Sequence, residues 1–298
     1  MATKPSYPTF VNPGSALANA LIGAYLCNEG SGTILHDTSG VVPAEDATFN
    51  APSITWGISK IDNVSPAILS AATTGFSKVS FPNGFQLGST SFSVVAWIYN
   101  TGSDNYGTLL AYSNSVGWWT HGTGATFKSD LYATVDHENT TALNINTLYQ
   151  LCITYNGTTL TFYINGVANG TATFALPVYT PIHVCNDFLT ETFVGTYDAL
   201  FIWRGRVLDA TEILTLYNEP FILYDRGNTR HYEDQIMLGL FQAESPYDTP
   251  LPTWSTATAC SMRDFDDASP HETWDDVVEE DDLLVHQAEY ATVQEIVR

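Results

Sequence analysis

Residues 148–170, LYQLCITYNGTTLTFYINGVANG, constrain the fold more than any other stretch of the chain. In the first run Leu151, Ile153 and Tyr155 alternate with smaller or polar residues, and in the second Leu160, Phe162 and Ile164 do the same. A period of two places each set on one face of a strand. Asn156-Gly157 and Asn165-Gly166 supply the left-handed backbone positions that tight hairpins need. Two hairpins in series commit this part of the chain to an antiparallel sheet. Another stretch, FSVVAWIY (92–99), is apolar almost throughout, as expected of a central strand covered on both faces. Shorter strand signals lie at 21–26, 33–37, 75–81, 107–113, 117–121, 125–134, 172–175, 180–185 and 193–203. Repeated short strands with turn signals predict an all-β sandwich, and no internal repeat at a fixed period is visible.

A helix is expected near the end of the sandwich. Asp209-x-x-Glu212 forms a capping box, and Ile213, Leu216 and Tyr217 follow at three- and four-residue spacing as a buried stripe. Pro220 ends it. Such a short helix is unstable alone and must be pinned to the sandwich. Just before it stands Arg204-Gly205-Arg206, two arginines in a chain with ten basic residues against thirty-two acidic ones.

That imbalance, a net charge of −22, repels phosphate backbones and anionic membranes, so nucleic-acid binding and membrane insertion are not expected. The charge is concentrated: residues 231–298 hold sixteen acids and two arginines. Four cysteines (Cys27, Cys152, Cys185, Cys260) are far apart and read as free thiols rather than as a disulfide or zinc framework. The first residues, MATKPSYPTFVNPG, lack an apolar h-region, so no secretory signal is expected, and no apolar run approaches a bilayer span. The organisation predicted is an N-terminal arm (1–15), free or laid along a partner, a sandwich (16–224) and an acidic C-terminal arm (225–298).

Four segments carry a family resemblance: LIGAYLCNEGSGTILHDTSG (21–40), SFSVVAWIY (91–99), TYNGTTLTFYINGV (154–167) and YDALFIWRGRVLDATEILTLYNEP (197–220). In this order they resemble laminin-G-like domains of the concanavalin-A-like jelly-roll superfamily, over about residues 16–224. The resemblance implies a two-sheet antiparallel jelly-roll sandwich with one short C-terminal helix. It places Arg206 where the last strand turns into the helix, as a brace on carbonyls and carboxylates. It also implies calcium as the commonest accessory, with Asp37, Asp136, Asp187 and Asp198 as candidate ligands. Many relatives carry two adjacent acids in the closing strand, whereas Asp198 is followed by Ala199.

For sugar binding, VGWWTHGTG (116–124) groups Trp118, Trp119 and His121; alternation predicts one tryptophan in the core and one outside. Packing of both within the assembled protein is the plainer reading. Asp136-His137-Glu138, followed by Asn139 and Thr140, is the closest acid cluster in the β-region and reads as a solvated loop. Neither a Gly-x-Ser-x-Gly elbow nor the Glu-x-Asp-x-x-Glu strand of one glycoside hydrolase family occurs.

Beyond Tyr224 the family pattern ends. Acid clusters interleaved with Phe265, Trp274, Leu283 and Leu284 read as an arm that folds onto a partner. Laminin-G-like domains followed by such a tail resemble structural proteins of tailed bacteriophages. The resemblance implies a non-enzymatic virion protein, made without an export signal and joined to other virion proteins and copies of itself. It would serve as head decoration or cement, or as a tail fibre or adaptor. An adhesin for host surface glycan is the alternative, and a glycan hydrolase a third.

Overall fold

The computed structural model describes residues 3–224 apart from 51–53, 72–77, 89, 104–105, 112–115, 123, 134 and 186–191. One compact unit spans Met1–Tyr232 and a second Glu233–Arg298. The second, with Phe265, Trp274, Leu283 and Leu284, lies outside the described residues, as do Cys260 and Asp187.

Two antiparallel sheets form the sandwich. The first contains β1 (Leu21–Tyr25), β4 (Ile54–Ile58), β5 (Pro66–Ser70), β7 (Phe92–Ser103), β13 (Thr147–Tyr155), β14 (Thr159–Ile164), β15 (Val167–Thr173) and β17 (Phe193–Arg204). Its order is β15-β14-β13-β7-β17-β5-β4, with β1 also paired to β17. The second contains β2 (Ile34–Leu35), β3 (Ala47–Asn50), β6 (Lys78–Ser80), β8 (Tyr106–Ala111), β9 (Val116–His121), β10 (Thr126–Ala133), β11 (Asp136–Glu138), β12 (Leu143–Asn144) and β16 (His183–Val184). It runs β11-β10-β9-β8-β16-β6-β3-β2, with β12 on β10.

The apolar run 92–99 is explained by two cores, one on each face of β7. Phe92, Val94, Ala96 and Ile98 enter the layer between the sheets, with Trp118, Phe127 and Leu131 from the second sheet. Val95 and Trp97 point the other way, into a cluster with Phe201, Trp203, Ile213 and Leu216. The helix α1 (Ala210–Asn218) covers that outer face. Its capping box is formed: Asp209 accepts from the Glu212 amide at 2.8 Å, and Glu212 accepts from the Asp209 amide at 2.9 Å. Ile213 and Leu216 are fully buried, whereas Tyr217 is exposed, so the apolar stripe is narrower than its spacing suggests. The hairpin turn before β15 has the expected left-handed pair, Asn165 (φ 51°) and Gly166 (φ 81°). A Cβ on Gly166 would meet Leu214 of α1 at 2.8 Å, so this turn is also where the helix seats.

Arg206 holds the corner between β17 and α1. Its Nη1 donates to the carbonyls of Ala16 (2.8 Å) and Asn19 (2.9 Å), and its Nη2 pairs with Glu212. The guanidinium thus joins the chain entering β1 to the capping box. Arg204 is exposed. Arg206→Ala is expected to lower unfolding free energy by about 2–3 kcal/mol, the range for hydrogen bonds from a charged donor in partly buried surroundings. Arg206→Lys should recover less than half of it, because one ammonium cannot span the fork. Urea denaturation reads both; a lysine variant as stable as the parent would remove the role of the fork.

Three expectations need correction. The N-terminal segment is not a free arm: its described residues lie on the sandwich itself. Val11 is buried in the outer cluster, its amide donates to Thr38 O at 2.9 Å, and Lys4 is 3% exposed. Residues 136–138 are not a loop but the strand β11, with Asp130 opposite Glu138 and Tyr132 opposite Asp136. The strands β3, β4 and β5 lie outside the stretches with a strand signal, in segments of four or five residues too short to show a clear alternation. They gain order from pairing at the sheet margins rather than from a strong pattern of their own.

Candidate functional site

Strands β8–β11 carry a polar and aromatic face on the outside of the second sheet. In β10, Phe127 and Leu131 face the core and Ser129 accepts from Trp118 Nε1 at 2.7 Å, so Lys128, Asp130 and Tyr132 face out. Pairing sets Lys128 opposite His121, Asp130 opposite Trp119 and Tyr132 opposite Gly117 on β9. On its other side β10 meets Glu138 and Asp136 of β11, while Tyr106 of β8 lies opposite His121.

Contacts on this face are continuous. Glu138 accepts from Lys128 Nζ at 2.9 Å and lies 2.6 Å from His121 Nδ1. The Tyr106 ring stacks on His121, with centroids 4.3 Å apart and planes 9° from parallel, and its hydroxyl reaches Asp136 at 3.4 Å. Donor atoms of His121, Asp130 and Asp136 all lie within 4.8 Å of one another. Asp130 Oδ1 accepts from the His137 amide at 2.9 Å, whereas its buried Oδ2 has no hydrogen-bond partner among the described residues.

Burial and the neighbouring Asp136 carboxylate push Asp130 up to about 8, so at neutral pH it is mostly protonated. Glu138 goes the other way: burial opposes its ionisation, but hydrogen bonds from Lys128 and His121 outweigh that and hold it below its ordinary value. His137 points inward and stacks on Phe174 at 3.9 Å, and burial lowers its pKa.

Trp118 and Trp119 follow the plainer reading, both packed, and not that of an open sugar platform. Their side chains do point to opposite faces, but neither is open: Trp118 is 0% and Trp119 2% exposed. Trp119 is outward-facing yet covered, edge-on to Tyr132 and above Gly117, where a Cβ would meet the indole at 2.7 Å. The accessible rings on this face are the half-buried Tyr106 and Tyr132. His121 remains part of the face.

Among the described residues the calcium candidates Asp37, Asp136 and Asp198 do not converge. Asp37 accepts from the amides of Ala24 (3.0 Å) and Ser39 (2.9 Å) and fixes the loop after β2. Asp198, fully buried at a bulge in β17, accepts from the Lys60 amide at 3.1 Å and faces Lys4 Nζ at 3.8 Å. The ammonium, which also donates to Pro66 O at 2.7 Å, stands where a cation would be sought. Asp136 alone of the three described acids joins a cluster, and its companion Asp130 was not singled out from sequence. The signal was present: in TFKSDLYA, Lys128, Asp130 and Tyr132 alternate with Phe127, Ser129 and Leu131.

The architecture is a two-sheet antiparallel jelly-roll sandwich. Residues 73–214 match the laminin-G family model described as the Concanavalin A-like lectin/glucanases superfamily. Solved structures with this fold include domain 4 of AbnA, a GH43 extracellular arabinanase from Geobacillus stearothermophilus, in complex with arabinotriose. It is 17% identical with a TM-score of 0.51, over 66% of this chain and 98% of that one. The binding domain of Paraclostridial Mosquitocidal Protein 1 is 16% identical with a TM-score of 0.53, over 69% of this chain and 53% of that one. Trypanosoma rangeli sialidase in complex with 2,3-difluorosialic acid (covalent intermediate) is 14% identical with a TM-score of 0.51, over 70% of this chain and 34% of that one. This chain thus covers about half of the second structure and a third of the third. At these identities the likeness is one of fold. A comparison with curated proteins gave no match. Among the described residues no helix is long and apolar enough to cross a membrane.

Proposed function

We propose that this protein is a non-enzymatic, glycan-recognising structural component of a tailed-phage virion, joined to the particle through residues 225–298. The observation that carries the recognition role is the outward face of β8–β11. There the half-buried rings of Tyr106 and Tyr132 stand beside Lys128, Asp136 and Glu138, the pairing of flat apolar surface with hydrogen-bonding groups that sugar rings require. The fold supports it, since arabinotriose is bound to the similar domain of the Geobacillus arabinanase. The virion role is supported by the order of the four sequence motifs and by the acidic segment that follows them.

Hydrolysis is the competing use of such a face, and the raised pKa of Asp130 is the observation in its favour. A glycosidase needs both carboxyl groups at the scissile bond. Asp130 is 0% exposed and spends one oxygen on the His137 amide, so a sugar cannot reach it as placed. The face is suited to binding.

The attachment role predicts a clean separation. Among the described residues both apolar clusters are drawn from positions 11–224, and deleting 231–298 is expected to leave the sandwich folded, with its melting temperature within a few degrees of the full chain. The truncated protein should no longer be incorporated into particles. A truncated chain that fails to fold, or one that still assembles, would contradict the assignment.

A further inference from the structure

We propose that His121, Asp130 and Asp136 form a binding site for a divalent transition-metal ion, with zinc as the expected occupant. The inference is independent of glycan recognition and of the virion. It begins with sheet register: His121 on β9, Asp130 on β10 and Asp136 on β11 project from three adjacent strands onto one face. Their donor atoms lie within 4.8 Å of one another. Ligands about 2.0–2.1 Å from a tetrahedral ion are roughly 3.3–3.4 Å apart, so modest side-chain rotations close the set.

The surroundings of His121 point to a metal. Its Nδ1 is 2.6 Å from Glu138 Oε1, and Glu138 is fixed in turn by Lys128 Nζ at 2.9 Å. A carboxylate on Nδ1 holds the proton there and leaves Nε2 as a lone-pair donor, the outer-shell arrangement common to metal-bound histidines. Tyr106 stacked on the imidazole restricts the ring plane. Asp130 supplies the second, separate sign. With Oδ1 spent on the His137 amide, Oδ2 is left fully buried and without a hydrogen-bond partner among the described residues. That oxygen faces the Asp136 carboxyl with no donor between them, and two carboxyl groups this close need a proton or a cation to hold them together; a cation bound by the triad would serve.

One imidazole and two carboxylates suit zinc better than calcium, which takes six to eight oxygen ligands. Three protein ligands leave a fourth position open, on the side of Asp136, which is exposed.

The test is titration of the full chain with zinc chloride against a chromophoric chelator, beside His121→Ala, Asp136→Asn and Glu138→Gln. Melting curves in EDTA establish that each variant is folded. The expected result is one tight equivalent that weakens at least 100-fold in His121→Ala and Asp136→Asn. Glu138→Gln, which leaves all three ligands in place, should weaken it about 10–100-fold. Cobalt in place of zinc should give visible bands that His121→Ala abolishes. Three results would overturn the site: no tight equivalent, an equivalent untouched by His121→Ala and Asp136→Asn, or calcium bound in preference to zinc. Should the His121 variant not fold, Asp136→Asn decides alone, since that side chain is exposed and its loss leaves the core intact.

Discussion

Replacing Lys4 by methionine is expected to destabilise the sandwich by about 3–5 kcal/mol, the cost of leaving a buried carboxylate without its counter-charge. The effect is large for a residue so near the N-terminus because the side chain is not at the surface. Both Lys4 and Asp198 side chains are fully buried. Burial lowers the lysine pKa and raises that of the aspartate, and each charge partly offsets the penalty on the other. The ammonium is held chiefly by the Pro66 carbonyl at 2.7 Å, with Asp198 at 3.8 Å. The variant therefore loses a hydrogen bond to β5 and leaves Asp198 on the Lys60 amide and the Ser59 side chain. A double variant, Lys4→Met with Asp198→Asn, should regain most of the loss, since an amide keeps the acceptor for Lys60 and carries no charge. Chemical denaturation of the three proteins tests this. A single variant within 1 kcal/mol of the parent would show that the N-terminal segment is not pinned by this pair.

The second large effect is at Trp119. Trp119→Ala is expected to cost about 3–5 kcal/mol of stability, as for other buried aromatic truncations. If the indole were an open platform for a sugar, the same substitution would abolish binding and leave stability unchanged. The geometry separates these outcomes: Trp119 is 2% exposed, lies edge-on to Tyr132 and sits above Gly117. Trp119→Phe, which keeps an aromatic ring in the space, should recover more than half of the loss. A melting temperature for Trp119→Ala equal to that of the parent would restore the platform reading.

The contrast between these residues shows what a sequence carries. Features written in local pattern were legible: the two hairpins, with the left-handed pair at Asn165-Gly166 though only Gly157 at the first turn, the doubly covered strand at 92–99 and the capping box at Asp209, with the brace at Arg206 implied by the family motif. Each depends on residues close in sequence, or on a motif whose meaning is fixed by its neighbours. Features that arise from pairing across the chain were not. Alternation told that Trp118 and Trp119 point apart, but not that Tyr132, from the next strand, would close over the outer one. Asp136-His137-Glu138 has the composition of a loop, and only its register against β10 makes it a strand and brings Asp136 to His121. Lys4 and Asp198 stand at opposite ends of the sandwich sequence, and nothing near either one predicts the other. The charge of the pair is also hidden, because a lysine in a proline-rich leader looks like any solvated lysine.

Recognition of glycan by the outward face of β8–β11 is the central claim, and binding of host-cell polysaccharide to that face tests it most directly. The measurement is a pull-down or glycan array with the full chain, Lys128→Ala and Tyr132→Ala, each with a melting curve. The account predicts that the parent is retained on at least one glycan class and that each variant loses at least tenfold in affinity while staying folded. Absence of binding by the parent, or equal binding by all three folded proteins, would contradict it.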